Sequence, residues 1–436
     1  MVVMKFGGTS VGSVTRMNEV ISIITDSPES KIVVLSAMSG TTNALVEIAQ
    51  MHGSKNANAV ELLRVLESQY QDVVKNLFTE PSWREKGQHI IDAEFVKMNG
   101  WVREESTDVI SNQFLAEGEL ISTALFEVLC HSKGIDAVLI PALDFMRIDE
   151  NNEPDQNLIS ELSKPFIESN ESAHILITQG YICRDLRGNI SNLQRGGSDY
   201  TATLLGAALQ CDEIQIWTDI DGIHNNDPRI VSDTKPIRNL SYREAAELAY
   251  FGAKILHPTC VLPAERMDVP LRLKYTMEPK APGTLISKTT SKRSITAIAA
   301  KDGITAVKIY SHRMLNAYGF LRKVFQVFED HETSVDMIAT SEVAVSLTID
   351  DTSQLESIVK GIKAYGEVEV SHDHTIICIV GNELYTEGSH VQHIFEALHE
   401  IPTRMVSMGG SNYNISVLIP SDQKTQALQA LNTIFE

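Results

Sequence analysis

The sequence predicts an α/β protein: a mainly parallel central sheet sandwiched by helices, followed by two smaller α+β modules. Three observations carry this. The near-continuous apolar run Lys31-Ile32-Val33-Val34-Leu35 ends in a loop of small residues, as a strand buried on both faces of a parallel sheet does, and Glu213-Ile214-Gln215-Ile216-Trp217 reads as a further strand ending in polar residues. A segment rich in Pro, Gly, Ser, Thr and Lys, from Glu278 through Ser294, reads as a linker. Beyond it the chain repeats itself. Val324, Phe325 and Phe328 recur seventy residues on as Ile394, Phe395 and Leu398, and Val345, Leu347 and Ile349 recur as Ile415, Val417 and Ile419, which marks two copies of one strand, loop, helix, strand, strand unit.

A chain of 436 residues exceeds what one hydrophobic core usually supports, so two or three domains are expected. The excess of 57 acidic over 37 basic residues gives a net charge of -20 and argues against a nucleic-acid surface, which needs a basic stripe. Cations for any anionic ligand must then be placed locally, and Lys5, Arg195, Arg229 and Lys254 stand beside turn motifs. The five cysteines have no C-x-x-C spacing and suit reduced packing thiols. No apolar run is long enough for a signal peptide or a membrane span, which predicts a cytoplasmic protein without a membrane partner.

The first element is the strand Val2-Val3-Met4-Lys5-Phe6, running into Gly7-Gly8-Thr9-Ser10-Val11-Gly12 and then a helical pattern through Val14, Met17, Val20, Ile21 and Ile24. A strand, a tight turn and a helix N-terminus present unpaired backbone N–H groups that suit an anion, and Lys5 adds a full charge. The spacing is neither the P-loop nor the dinucleotide fingerprint, and an ordinary βα turn would look the same. The second strand ends in Ser36-Ala37-Met38-Ser39-Gly40-Thr41-Thr42-Asn43, a loop expected beside the first because ligands bind beyond the carboxyl ends of such strands.

Residues 56 to about 111 show helical spacing with few strand signals and read as a helical insertion. Glu117-Gly118-Glu119-Leu120-Ile121-Ser122 is expected to open the next helix, with Glu119 either favoured by the helix dipole or facing the cleft to hold an ammonium group. From Ile175 a strand leads through a turn-rich stretch to Arg195-Gly196-Gly197-Ser198-Asp199-Tyr200-Thr201. That is a second glycine turn at a helix start, flanked by an arginine able to clamp a carboxylate or phosphate. The strand ending at Trp217 closes in Thr218-Asp219, and Asp227-Pro228-Arg229 follows; both suit a nucleotide, although Asp-Pro is also plain turn punctuation. Ser241 and Glu244 form a capping-box pattern for a helix that stops at Gly252, Lys254 lies in the connection after it, and Val269 to Tyr275 is the last strand of the domain.

Taken together, Lys5-Phe6-Gly7-Gly8-Thr9-Ser10-Val11, Glu117-Gly118-Glu119, the Arg195 to Thr201 motif, Trp217-Thr218-Asp219, Asp227-Pro228-Arg229 and Phe251-Gly252-Ala253-Lys254-Ile255-Leu256-His257-Pro258 resemble the aspartate kinases of the amino-acid kinase superfamily. The two repeats look like the ferredoxin-like ACT modules of such kinases, and no dehydrogenase pattern follows them. The implied domains are a kinase domain at 1–285, an effector-binding ACT module at 303–374, and a second module at 375–436 completed by a strand at 295–300.

The resemblance implies phosphorylation of the L-aspartate β-carboxylate by ATP with Mg²⁺, on the way to lysine, threonine and methionine. Asp199 would organise the catalytic lysines, with Lys5 acting on the transferring phosphoryl group. Ser36, Thr42, Glu119 and Arg195 would hold aspartate. Phe6, Gly7, Gly8, Gly196, Gly197, Ser198, Thr218, Asp219, Arg229, Lys254 and Ile255 would serve ATP, and so would His224, which departs from the family's usual tyrosine. The first module would bind an amino-acid effector, foremost lysine, through Met314, Ala317, Gly319, Phe320, Leu321, Val335, Asp336, Thr340, Ser341 and Glu342. ACT pairing implies a homodimer. A kinase for another amino-acid carboxylate and a catalytically silent amino-acid sensor are the alternatives.

Overall fold

The computed structural model describes residues 1–436 except 57, 171–172, 194–195, 253–255, 289–294, 315–317, 385–387 and 436. The chain divides into two compact units, Met1–Ile223 with Arg238–Tyr242 and Ile255–Thr289, and His224–Ile237 with Arg243–Lys254 and Thr290–Glu436.

In chain order the first unit contains β1 (Val2–Phe6), α1 (Val14–Ile24), β2 (Lys31–Leu35), α2 (Thr41–Gly53), α3 (Asn58–Leu77), α4 (Pro81–Trp101), α5 (Asp108–Ser132), β3 (Ala137–Leu139), α6 (Ala142–Phe145) and α7 (Gln156–Ser169). There follow β4 (Ile175–Gln179), β5 (Ile182–Arg184), β6 (Ile190–Asn192), α8 (Gly197–Ala208), β7 (Glu213–Thr218) and β8 (Asn239–Ser241). After α9 (Tyr242–Tyr250), which from Arg243 on belongs to the second unit, come α10 (Pro258–Met267), β9 (Leu271–Tyr275) and β10 (Thr284–Ser287).

Eight strands form one sheet in the order β3-β4-β2-β1-β7-β9-β10-β8. Neighbours from β3 to β9 are parallel, β10 is antiparallel to β9, and β8 runs with β10. All five residues of β2 are buried, as its apolar run foretells, and so are all five of β4, its polar Thr178 and Gln179 included. The chain moves from β1 to β2 on one side and returns to β7 on the other, so the strand order reverses at β1. A crevice opens beyond the carboxyl ends at such a switch point.

The expected helical insertion is α3 and α4. Their apolar stripes, Leu63, Leu66, Tyr70 and Val74 on one and Ile91, Phe95 and Met98 on the other, belong to the same buried cluster as Met4, Phe6, Val33 and Leu45. One expected helix start holds and one moves. Helix α1 begins at Val14, where the helical pattern begins, and the Ser13 side chain caps it by accepting from the Arg16 amide. Helix α5 begins at Asp108 with Thr107 as N-cap, so Glu117 and Glu119 are interior residues far from the favourable dipole end.

The second unit adds β11 (Ile295–Tyr310), α11 (Phe320–Asp330), β12 (Ile338–Thr340), β13 (Ala344–Ile349), α12 (Leu355–Ile362), β14 (Glu367–Gly381), α13 (Gly388–Ala397), β15 (Met405–Met408), β16 (Asn414–Pro420) and α14 (Lys424–Asn432). Its sheet runs β12-β13-β11-β14-β16-β15, antiparallel throughout. The long strand β11 serves two cores. Val307 and Ile309 pack with Val324, Phe328 and Ile358, whereas Ile295 and Ile298, beside the Ile377–Gly381 stretch of β14, pack with Ile394, Ile415 and Leu428. Segments earlier in the chain are fastened to this unit. Val231 joins the second core, the Asn226 side-chain amide donates to the Leu428 carbonyl at 2.9 Å, and the Thr296 hydroxyl donates to the Glu244 carboxylate at 2.6 Å.

Candidate active site

Lys5 is the next-to-last residue of β1, and its ammonium forms a 2.6 Å ion pair with Asp199 in the first turn of α8. The two side chains are 12% and 17% exposed, so the pair is shielded yet reachable. The lysine Nζ also lies 3.2 Å from where a Cβ on Gly7 would stand, which sets the charge over the β1 loop. Helix α8 starts after Gly196, whose φ of +79° favours glycine and offers no side-chain cap. A Cβ on Gly196 would stand 2.7 Å from Cys260 Sγ, and one on Gly197 2.8 Å from the Tyr181 ring, so neither position has room for a side chain. The positive end of α8 and the lysine, paired with Asp199, thus converge on one place, an arrangement suited to phosphate oxygens.

Next to it is a cleft of about 430 Å³ lined by Gly8, Ser36, Thr42, Glu119, Tyr181 and Ser198, among others. Ser36 donates to the Ser198 hydroxyl at 2.9 Å, tying the β2 loop to α8. Ser122 donates to the Ser36 carbonyl and Thr123 to the Glu119 carbonyl, both at 2.8 Å, while the Gln179 amide donates to Thr123 at 2.9 Å. These bonds join the ends of β2 and β4 to α5. Gly118 permits the approach, since a Cβ there would stand 2.7 Å from the Ala37 methyl.

Glu119 is 3% exposed, and one oxygen of its carboxyl has no partner. Burial pushes it up to about 8, against the opposing pull of the Ala37 backbone amide. A buried carboxyl with a vacant oxygen beside a cleft suits a cationic guest. Glu117, two residues earlier, is held well above the carboxylate range by burial and then by the charge of Glu94, whose own partner is Lys97.

Thr218 and Asp219 close β7, where the Thr218 hydroxyl donates to Asp219 at 3.2 Å. Thr276 ties this end to the β1 loop, donating to the Thr218 carbonyl at 3.0 Å and sharing a 3.1 Å hydrogen bond with Ser10. Phe6 stacks on Trp217 at 5.6 Å between ring centroids, underpinning both loops. His224 and Arg229 are in the second unit. His224 Nδ1 bonds the Thr234 hydroxyl at 2.9 Å, and Arg229 grips Asp227 with two hydrogen bonds of 2.9 and 2.8 Å. Arg195, Lys254 and Ile255 lie outside the described residues. Among the described residues no group of three or more His, Cys, Asp or Glu side chains is arranged to hold a metal ion.

Of the candidate effector residues, Met314, Phe320 and Val335 share one apolar cluster, and Gly319 caps α11 with φ +75°. Asp336 has a fully buried side chain, paired with Lys301 at 2.6 Å and accepting from the Tyr250 hydroxyl at 2.9 Å. Leu321, Thr340, Ser341 and Glu342 are exposed, with the Ser341 hydroxyl accepting from the Ala344 amide at 3.1 Å. Ala317 lies outside the described residues.

Sequence reasoning missed Tyr181, which lines the cleft in a left-handed conformation at φ +67°, its amide donating to the Thr201 hydroxyl at 2.9 Å. Its place just after β4, at the carboxyl end of a parallel strand, was the available signal. The polar set of Ser122, Thr123 and Gln179 left no local signal.

Residues 1–274 match the amino acid kinase family, and residues 377–435 match an ACT domain. Lysine-sensitive aspartokinase 3 of Escherichia coli is 34% identical over 449 aligned residues, covering 100% of this chain and 99% of the relative. The chloroplastic aspartokinase 1 of Arabidopsis thaliana is 35% identical over 459 residues, covering 99% and 80%. The crystal structure of E. coli aspartokinase III in complex with aspartate and ADP (R-state) superposes with a TM-score of 0.87 at 33% identity, each chain covered in full. The same enzyme in complex with lysine and aspartate (T-state) gives 0.84, again over both chains in full. With a parallel sheet that switches order at β1, a lysine and an aspartate paired between two glycine turns, and kin of matching length, the chain belongs to the amino acid kinase family and, within it, to the aspartokinases.

Proposed function

We propose that this chain transfers the γ-phosphoryl group of MgATP to the β-carboxylate of L-aspartate, yielding 4-phospho-L-aspartate and ADP. The observation that carries the reading is the Lys5–Asp199 pair at the positive end of α8, next to a cleft that ends on Glu119. The acceptor carboxylate is ionised at neutral pH, so no general base is needed; the barrier lies in aligning two anions and neutralising charge as the new O–P bond forms and the bond to the ADP oxygen breaks. Lys5 and the amides of Gly7, Gly8, Gly196, Gly197 and Ser198 supply that neutralisation, and Asp199 keeps the lysine aimed.

Glu119 takes the substrate ammonium, Arg195 its α-carboxylate, and Ser36 and Thr42 complete the pocket. Thr218, Asp219, His224, Arg229, Lys254 and Ile255 serve the nucleotide. Mg²⁺ arrives with the ATP and neutralises its phosphate oxygens. The residues from Met314 to Glu342 named above receive an amino-acid effector, with lysine favoured by the lysine-sensitive relative, and the ACT modules pair two chains in a homodimer. The protein works in the cytoplasm, without nucleic-acid or membrane partners; among the described residues no helix is long and apolar enough to cross a membrane.

Trapping with hydroxylamine tests the activity. The purified protein with MgATP should form aspartate hydroxamate only when L-aspartate is present. Absence of hydroxamate refutes the reading, and turnover of glutamate in its place transfers it to another carboxylate kinase.

A further inference from the structure

A polar side chain of the helical insertion reaches Thr41, the residue between the cleft-lining Gly40 and Thr42. Tyr70 of α3 is 2% exposed, with its ring tilted against Phe95 of α4 at 6.1 Å between centroids. Its hydroxyl lies 2.9 Å from the hydroxyl of Thr41, and both groups are buried. Thr41 is the first residue of α2, and the cap before it, Gly40, has φ +83° and makes no side-chain hydrogen bond to the helix. The residues on either side of Thr41, Gly40 and Thr42, line the cleft. On its other flank Thr41 packs 3.3 Å from the point where a Cβ on Gly118 would stand, between Glu117 and Glu119. The start of α2, where the Thr41 amide donates to the Met38 carbonyl at 3.0 Å, is therefore also held through the Thr41 side chain by the Tyr70 hydroxyl. Burial keeps the Tyr70 phenol protonated, and the charges of Glu119 and Glu117 act in the same direction.

We propose that Tyr70 is a positioning residue for the acceptor pocket: through Thr41 its hydroxyl fixes the Gly40 to Thr42 turn at the height where Thr42 meets the amino-acid substrate. This rests on the reading that the cleft receives aspartate. A neutral hydrogen bond of this kind is worth about 1 kcal/mol net, which converts to about a threefold to tenfold change in substrate affinity. The kinase step itself, at Lys5 and Asp199, is untouched.

The test is steady-state hydroxamate kinetics on wild type, Tyr70→Phe, Thr41→Val, Thr41→Ser and the double variant Tyr70→Phe/Thr41→Val, with thermal melts of each. Tyr70→Phe and Thr41→Val should each raise the KM for aspartate about threefold to tenfold while kcat and the KM for ATP move less than twofold. The double variant should be no worse than either single one, because both remove the same bond, and Thr41→Ser, which keeps the hydroxyl, should return the KM to wild type. An unchanged aspartate KM in either single variant, or additive losses in the double, overturns the inference. So does a lowered melting temperature with no change in that KM, because it reduces Tyr70 to a packing residue. Wild-type protein without aspartate turnover overturns the aspartate reading and this inference with it, whereas active wild type with indifferent variants overturns this inference alone.

Discussion

Proton release on aspartate binding tests the acceptor site most directly, because Glu119 changes charge if the site works as described. In the free protein its carboxyl sits near 8, against 4.5 for an exposed glutamate. At pH 7 such a group is about nine-tenths protonated, and at pH 8 about half. A substrate ammonium placed against it favours the ionised form, so binding should release about 0.9 proton at pH 7 and about 0.5 at pH 8. Affinity should rise about tenfold between pH 6 and pH 7, equivalent to about 1.4 kcal/mol, and about tenfold again between pH 7 and pH 9. Calorimetry in two buffers of different ionisation enthalpy counts the protons directly. Glu119→Gln should bind aspartate weakly with no proton release. Release near zero for wild type at pH 7, or equal release in the variant, would refute the assignment; Glu117, raised as well but facing Glu94 and Lys97, is separated from Glu119 by that comparison. The same shift acts on folding. The unfolded chain loses these protons near pH 4.5 and the folded protein near 8, so the contribution of Glu119 to stability is complete below about 4.5 and is lost as pH rises through 8. Aspartate should therefore raise the melting temperature more at pH 8 than at pH 6.

Lys5→Ala should lower kcat by about 10²- to 10³-fold, the loss seen when one preorganised charge or donor is removed from a transition state, with the fold intact by circular dichroism; a near-normal kcat removes the lysine from the mechanism. Gly196→Ala should cost about 1–3 kcal/mol in urea unfolding and impair turnover, because φ +79° and the closeness of Cys260 both oppose a side chain; a silent variant would mean the turn can rearrange freely. Lys301→Met leaves the buried Asp336 without its cation and should destabilise the protein by about 3 kcal/mol, whereas an unshifted midpoint would show that Tyr250 alone satisfies the carboxylate. Glu342→Ala should weaken lysine inhibition in a titration of activity and retain activity without lysine; unchanged inhibition would place the effector elsewhere.

Much of the frame was readable from local pattern. The apolar run of β2 announced a strand covered on both faces, whereas a lysine inside the first strand before two glycines was by itself an ordinary βα turn. Helix starts were unevenly legible. The helical pattern from Val14 matches α1, which Ser13 caps after a separate turn closed on the Gly7 carbonyl. Glu117-Gly118-Glu119 read as a helix opening; in the fold Gly118 is the contact point that lets α5 approach Ala37, and the helix runs straight through it. Glu119 could be singled out by type, yet its raised pKa depends on burial, which no spacing predicts.

By itself the sequence determined the parallel α/β frame, the doubled C-terminal pattern and the residue types at the two glycine turns, because these follow from periodicity and from backbone conformations that few residues accept; the family followed from the resemblance of its motifs taken together. Tertiary structure alone decided the partnerships. Lys5 meets Asp199, Ser36 meets Ser198, and Tyr70 meets Thr41 across separations that leave no periodic trace. The segment carrying Asp227 and Arg229, together with most of α9, is fastened to the C-terminal unit by Asn226, Val231 and Glu244. Local propensity chooses a helix or a strand, but which buried polar groups satisfy one another is settled only when distant segments pack, since each such group left unpaired costs about 1–3 kcal/mol.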